Sequence, residues 1–373
     1  MLHTLTYAFL AYAALVFLLN LWYFRRRRLL ASASPEEKIS VLVPARNEEA
    51  NLARCLDSLL AQSYPELEIL VMDDDSTDGT WALLQGYAER HPGRIRAFRN
   101  QGLPAGWVGK CWVCSRLSGL ATGRWLAFVD ADTYHHPDCI RHAFQEAGRR
   151  GSALVSYVPE LVLGTLAERI GVPVITFAFY LLFPMGVVRW LASRFAAMAV
   201  GTFILVRRDV YDRFGGHAGL RHDIVEDVAM ARAVKALGEP VDLLDGTGLL
   251  YTRFYHNARE VWKGFSKAAF GAFGFSFLPY AVTLIFTYAL FLNPFLMLAL
   301  HPTLSFYNPF FNQVAAILGL RLLLALRVRQ SPLTALLHPV MVVFGLLFCL
   351  NSLWRIAWGM PIEWKQRQYR ISK

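Results

Sequence analysis

Asp130-Ala131-Asp132 sets two carboxylates one residue apart, directly after the apolar run Trp125 to Val129. Such a run reads as a short buried strand. In an open α/β sheet, ligands bind beyond the carboxyl ends of the strands, so these carboxylates would face arriving substrate. Hard oxygen ligands in that place suit Mg²⁺ or Mn²⁺, ions usually shared with a substrate's phosphates. A pair of helix-capping aspartates is the other reading of the same residues. A second acidic loop, Asp73-Asp74-Asp75-Ser76-Thr77-Asp78-Gly79, follows the apolar run Leu67 to Met72. Glu226-Asp227 opens a third acidic stretch at the start of a helical pattern that ends at Gly238, where carboxylates are favoured by the helix dipole alone.

The elements that position these groups alternate. Ile39 to Val43 reads as a strand stopped by Pro44, and Glu49 to Ala61 has helical spacing with Leu52, Leu56, Leu59 and Leu60 on one side. Leu67 to Met72 reads as a strand, Thr80 to Arg90 as a helix, Ile95 to Phe98 as a strand, and Gly201 to Val206 as a return strand. Strands and helices alternating with short loops predict a parallel sheet covered on both faces, with two successive strands delivering acidic loops to one edge. No Gly-x-Gly-x-x-Gly follows the first strand, which excludes a nicotinamide-type dinucleotide site. Gly106 to Lys110 approaches a P-loop, but Pro104 stands at the first glycine and Cys111 replaces the Ser/Thr, so a Walker site is excluded as well.

Composition places part of the chain in lipid: 55% of the 373 residues are hydrophobic. The net charge of +10 fits an anionic membrane surface better than nucleic acid, because many basic residues flank apolar runs. Five scattered cysteines argue against a disulfide framework, and Cys111-Trp-Val-Cys114 lacks the partners that would complete a zinc site. Leu5 to Phe24 is long enough to cross a bilayer and is followed by Arg25-Arg26-Arg27-Arg28, so it reads as a retained anchor with its arginines in the cytoplasm. A basic linker, residues 25–38, leads to the soluble domain. Ile170 to Val188 is uncharged, but Pro173 and Pro184 break it, and the acidic motifs on either side must share one side of the membrane. It reads as broken helices in the interface, roughly residues 165–200, a place where a lipid acceptor could approach, or else as a buried core pair.

Pro44-Ala45-Arg46-Asn47-Glu48-Glu49, Met72-Asp73-Asp74-Asp75-Ser76-Thr77-Asp78-Gly79-Thr80, Gly109-Lys110 and Asp130-Ala131-Asp132 occur in the order of a family 2 glycosyltransferase, and residues 39 to 270 resemble that family. The resemblance implies an α/β GT-A (Rossmann-like) glycosyltransferase domain, residues 39–275, inserted between an N-terminal transmembrane helix (1–24) and C-terminal transmembrane helices. It implies inversion at the sugar carbon, a nucleotide-sugar donor and a divalent metal, Mg²⁺ or Mn²⁺. It places Pro44, Arg46, Glu48, Asp74, Lys110 and Asp130 at the donor, with Glu48 and Asp74 toward the nucleoside and Lys110 near the diphosphate. Asp132 would hold the metal with support from Asp130, and Asp227, beside Glu226, would be the catalytic base. Asp75 stands where the family commonly has Gly or Asn.

The region around His256, Trp262 and Lys267 lacks the Gln-x-x-Arg-Trp of processive polysaccharide synthases and resembles the carotenoid and hopanoid glycosyltransferase branch. The ending Glu363-Trp364-Lys365-Gln366-Arg367-Gln368-Tyr369 resembles the Trp-Lys-Gly-Arg-x-Tyr ending of diaponeurosporenoate glycosyltransferases, with Gln366 in place of Gly. Trp364 and Arg367 join His256, Trp262 and Lys267 as the acceptor or product region. The expected partners are a nucleotide-sugar donor, a lipid acceptor and the membrane, in a multi-pass protein of a bacterial-type inner membrane with its catalytic domain cytoplasmic. A processive synthase and a non-catalytic scaffold are the alternatives. Three apolar runs fill residues 276–354, before a basic tail at 355–373. The positive-inside rule favours two crossings plus one incomplete segment, expected at His338-Pro339.

Overall fold

The computed structural model describes residues 2–25, 29, 37–223, 225–268, 276–358, 362–364 and 367–369. The expectations on Arg26 to Arg28, Lys365 and most of the basic linker lie outside these residues, as do the side chains of Lys267, Trp364 and Arg367. The chain divides into two compact units.

One unit, Tyr23–Leu161 with Met185–Arg253, is built on an eight-stranded sheet. Its strands are β1 (Ile39–Ala45), β2 (Leu67–Asp74), β3 (Ile95–Asn100), β4 (Trp125–Val129), β5 (Thr133–His135), β6 (Leu154–Leu161), β7 (Phe203–Arg207) and β8 (Val241–Thr252). The order is β3-β2-β1-β4-β7-β6-β8-β5. The first four strands are parallel, β7 is antiparallel to β4 and β6, and β5 closes the edge antiparallel to β8. Strands covered on both faces need continuous apolar runs, and β4 is buried at all five of its positions. Each fully buried Leu, Ile or Phe contributes roughly 1.5–3 kcal/mol. β4 can lie beside β1 because Gly123, at its start, has no side chain: a Cβ there would stand 2.7 Å from the Ser40 backbone nitrogen.

The helix Thr80–Arg90 begins where Asp78 accepts from the Thr80 backbone N–H (3.1 Å), and Cys139–Arg150 ends at Gly151, whose φ of 63° suits glycine. The helix after β1 spans Leu52–Leu60, later than its periodicity suggests, because Glu48 and Glu49 are engaged by the neighbouring loop. Cys111 and Cys114 are buried on the helix Gly109–Leu120, and all five cysteines are free thiols.

The other unit gathers Met1–Trp22, Val162–Pro184 and Phe254–Lys373. Among the described residues, four helices are long and apolar enough to cross a membrane: His3–Tyr23, Phe277–Leu300, Pro309–Arg327 and His338–Arg355. Residues 166–190 form broken helices, as their prolines predict: Leu166–Gly171, Pro173–Phe177, a π turn at Ala178–Leu182, and Gly186–Trp190. The Asn20 side-chain amide, buried near the end of the first helix, donates to the carbonyls of Phe179, Tyr180 and Phe183 at 3.3, 3.1 and 2.9 Å. Two of those carbonyls lie within the π turn and the third just after it, where the helical hydrogen-bond ladder is irregular.

The segment at His338-Pro339 corrects the sequence reading: it starts an unbroken helix of 20 residues, His338–Ala357. Pro339 is its second residue, where a missing N–H costs nothing. The interruption falls instead in the run from Phe277, where a π turn at Tyr288–Leu292 precedes Pro294.

Candidate active site

The loops after β1 and β2 are joined by side-chain-to-backbone hydrogen bonds. The Asn47 N–H donates to Ser76 Oγ (2.9 Å), the Thr77 N–H to Asn47 Oδ1 (2.9 Å), the Glu48 N–H to Thr80 Oγ1 (2.8 Å) and the Gly79 N–H to Glu49 Oε2 (2.9 Å). Arg46 donates to the Asp74 and Asp75 carbonyls. This explains the short polar residues at those positions: each satisfies a backbone group that a loop leaves unpaired. Asn47 and Asp75 both have positive φ, 51° and 57°, which Asn and Asp tolerate better than other side chains. Asp75 therefore fills a place where the family commonly has Gly or Asn without abandoning that backbone shape.

Glu48 and Asp74, both expected at the nucleoside, are buried with their carboxylates already oriented. Glu48 accepts from Asn51 Nδ2 (2.9 Å). Asp74 accepts from Asn100 Nδ2 (2.9 Å), and Asn100 in turn accepts from Trp112 Nε1 and Arg116 Nη1, each at 3.0 Å.

A second cluster gathers at the end of β4. Lys110 Nζ lies 2.6 Å from Asp130 Oδ1 and 2.7 Å from Glu226 Oε1. Burial alone would lower the Lys110 pKa, but Asp130 and Glu226 outweigh it and hold the ammonium well above its ordinary value. Burial would raise Glu226, and Lys110 reverses that, leaving the carboxylate below its ordinary range. Asp227, one residue on, accepts from the Gly201 N–H and the Val228 N–H, each at 2.8 Å. Burial, then the charge of Glu226, pushes Asp227 up to about 6. A carboxylate fixed by two N–H groups with a pKa near neutrality is suited to accept a proton.

Gly201, placed in the sequence only as the start of a strand, is the point on which this cluster closes. A Cβ there would meet Lys110 Nζ at 3.2 Å, Asp227 Oδ2 at 3.3 Å and Glu226 Oε1 at 3.6 Å. His217 is also part of the site. It is buried, its ring lies tilted against Phe128 (4.6 Å between ring centroids), and its Nδ1 lies 2.8 Å from Tyr211 Oη. Burial pushes its pKa down to about 3, so it stays neutral. A small pocket lined by Pro44, Lys110, Asp130, Gly201, His217 and Glu226 opens here. No periodicity marks Gly201 or His217.

The donor set fits a divalent cation. Asp132 Oδ1 is buried with no hydrogen-bond partner, and burial, then the charge of Asp130, raises its pKa to about 7. A cation would supply the missing countercharge. Among the described residues no group of three or more His, Cys, Asp or Glu is arranged to hold a metal. Such an ion can be held by one or two carboxylates together with substrate phosphates.

The expected acceptor region lies in the other unit. His256 contacts Glu260 (Nδ1 to Oε2, 3.4 Å) at the start of the helix Ala258–Ala268, and Trp262 meets Phe348 edge-to-face at 5.2 Å. Trp364 and Arg367 are paired in register across two short strands, Ile362–Trp364 and Arg367–Tyr369.

Residues 40–227 match the family described as Glycosyl transferase family 2. The chain is 27% identical to 4,4'-diaponeurosporenoate glycosyltransferase of Staphylococcus aureus (strain USA300) over 367 residues, 94% of each protein. It resembles in fold the solved mannosyltransferase PcManGT from Pyrobaculum calidifontis, in complex with GDP-Man and Mn²⁺. That match has a TM-score of 0.54 and 17% identity, covering 96% of this chain and 99% of that one.

Proposed function

The chain belongs to glycosyl transferase family 2 and has the GT-A fold, and we propose that it moves a sugar, with inversion, from a nucleotide-diphosphate donor to a membrane lipid. The observation that carries this reading is the convergence of Lys110, Glu226 and Asp227 on Gly201, beside Asp130 and Asp132. Asp227 accepts the proton of an acceptor hydroxyl as its oxygen attacks the anomeric carbon. The two N–H groups from Gly201 and Val228 fix the carboxylate's aim. Lys110 presents positive charge toward the departing diphosphate, and Glu48 and Asp74 hold the nucleoside. Asp132, with Asp130, would hold Mg²⁺ or Mn²⁺, which when bound would supply further positive charge to the leaving group. The four long apolar helices support a membrane location, and the four arginines after the first of them support, by the positive-inside rule, a cytoplasmic catalytic unit.

A lipid acceptor is supported by those helices and by the relative's action on a carotenoid-derived substrate. That relative's substrate is by its name a carboxylate, which is ionised near neutral pH and needs no base. Membranes containing the protein, incubated with a panel of labelled nucleotide sugars and then lipid-extracted for mass spectrometry, test the reading. Label on an extractable lipid is the expected result. Label that stays water-soluble with every donor, or that enters only a polymer, overturns it. Comparing hydroxyl and carboxylate acceptors in Asp227→Asn then tells whether a base is needed.

A further inference from the structure

The helix Pro309–Arg327 turns Gln313, Ile317, Arg321 and Leu324 inward, each at most 1% exposed. Arg321 is thus a guanidinium inside the bundle of the helical unit. Its Nε and Nη1 are buried and make no hydrogen bond. The ring of Phe177 lies 5.9 Å from its Cζ, and Phe177, Phe291 and Phe295 surround His338 at 5.6, 5.9 and 5.7 Å. Aromatic faces attract a cation, but they accept no in-plane N–H bonds, and an arginine does not lose its proton.

Among the described side chains, no carboxylate of this unit answers the charge. Its acidic residues are Glu168, Glu260 and Glu363. Glu168 closes the capping box with Thr165 at the start of Leu166–Gly171, Glu260 is engaged by His256 and Asn257, and Glu363 lies some forty residues further along the chain, in the first of the two short terminal strands. Arg321 stands six residues before the helix end at Arg327, about 9 Å along the axis. A 19-residue helix is about as long as the hydrocarbon core is thick, so Arg321 stands well inside the acyl-chain region of a membrane-spanning helix. A buried, permanently charged fork in such a place needs an oxyanion partner.

We propose that Arg321 forms a subsite for an oxyanion, carboxylate or phosphate, carried on an apolar tail, with the tail running along the aromatic faces of Phe177, Phe291 and Phe295. The site recognises a lipid's acidic group and goes beyond sugar transfer. It rests only on the helical unit lying in lipid, and it is tested with no sugar donor present. The delipidated full-length protein in neutral detergent is titrated with oleate, methyl oleate, oleyl alcohol and phosphatidylglycerol while its thermal unfolding and ligand binding are followed.

Oleate, phosphatidylglycerol or both should raise the unfolding temperature, whereas methyl oleate and oleyl alcohol should not. Response to oleate alone identifies a carboxylate site, and response to phosphatidylglycerol alone a phosphate site. Arg321→Met should weaken that binding at least about thirtyfold, as when one partner of a buried charge pair is truncated. Equal binding by Arg321→Met overturns the proposal. So does equal stabilisation of the wild-type protein by the charged and neutral probes, a result that needs no variant.

Discussion

The two units treat an inward-facing cation in opposite ways. Lys110 has its countercharges built into the sheet unit, Asp130 at 2.6 Å and Glu226 at 2.7 Å, brought together by a strand end and a helix start. Arg321, in the helical unit, has none from its own elements. A charge answered from within holds a geometry ready for chemistry. A charge left without an internal answer marks where something outside the chain must fit.

Four experiments press on this contrast. Asp227 stands beside the Lys110 cluster without pairing with Lys110, so Asp227→Asn should leave the cluster assembled while removing the base. Transfer to a hydroxyl acceptor should fall at least about a hundredfold, while nucleotide affinity by calorimetry stays within a few-fold. Near-normal transfer in that variant would move the base elsewhere.

Removing each cation in turn measures the contrast directly. Lys110→Met strands the buried Glu226 and the half-buried Asp130 and should destabilise the protein by about 2–3 kcal/mol in chemical denaturation. Arg321→Met strands no partner and removes an unanswered buried charge, so delipidated protein should lose no stability and should gain about 1–4 kcal/mol. Similar losses for both would dissolve the distinction.

Gly201→Ala pushes a methyl group between Lys110 and Asp227. A loss of about 1–3 kcal/mol is expected from the forced shift, with transfer down about tenfold. An unchanged rate would mean that the cluster adapts freely.

The smallest effect is in pH. Asp227 has its folded pKa raised by burial, then by Glu226, to about 6. The folded state therefore favours the protonated form, and this group's contribution to stability declines as pH rises from its unfolded value near 4 through 6. Activity runs the other way, since the base must be ionised: kcat/KM should fall with unit slope below about pH 6, and only about twofold between pH 7 and 6. The limb should be missing from the residual activity of Asp227→Asn.

Much of the sheet unit was legible in the sequence because its signals are local. The span Trp125–Val129 and the helix Thr80–Arg90 agree with the apolar run and the helical spacing that mark them. Asp130, Asp132, Glu226 and Asp227 stand out because carboxylates end or open elements. Gly201 does not: its importance is the absence of a side chain where three distant segments meet, and one glycine carries no period. Pro339 misled for a related reason, since a proline reads as a breaker until its place in the first helical turn is known. Arg321 sits in an apolar run whose average composition conceals it, and only the inward face of the helix makes it conspicuous.

Asn20 has a consequence for how the protein is made. Its carbonyl partners lie 159 to 163 residues further along the chain. At synthesis rates of about 5–20 residues per second, the first helix waits on the order of 8–30 seconds before the π turn exists. Throughout that interval a carboxamide that ends fully buried must find hydrogen bonds in the insertion machinery, in headgroups or in water. The first helix is therefore inserted early and seated late, and the nascent protein passes through a stage in which that amide is its least satisfied group.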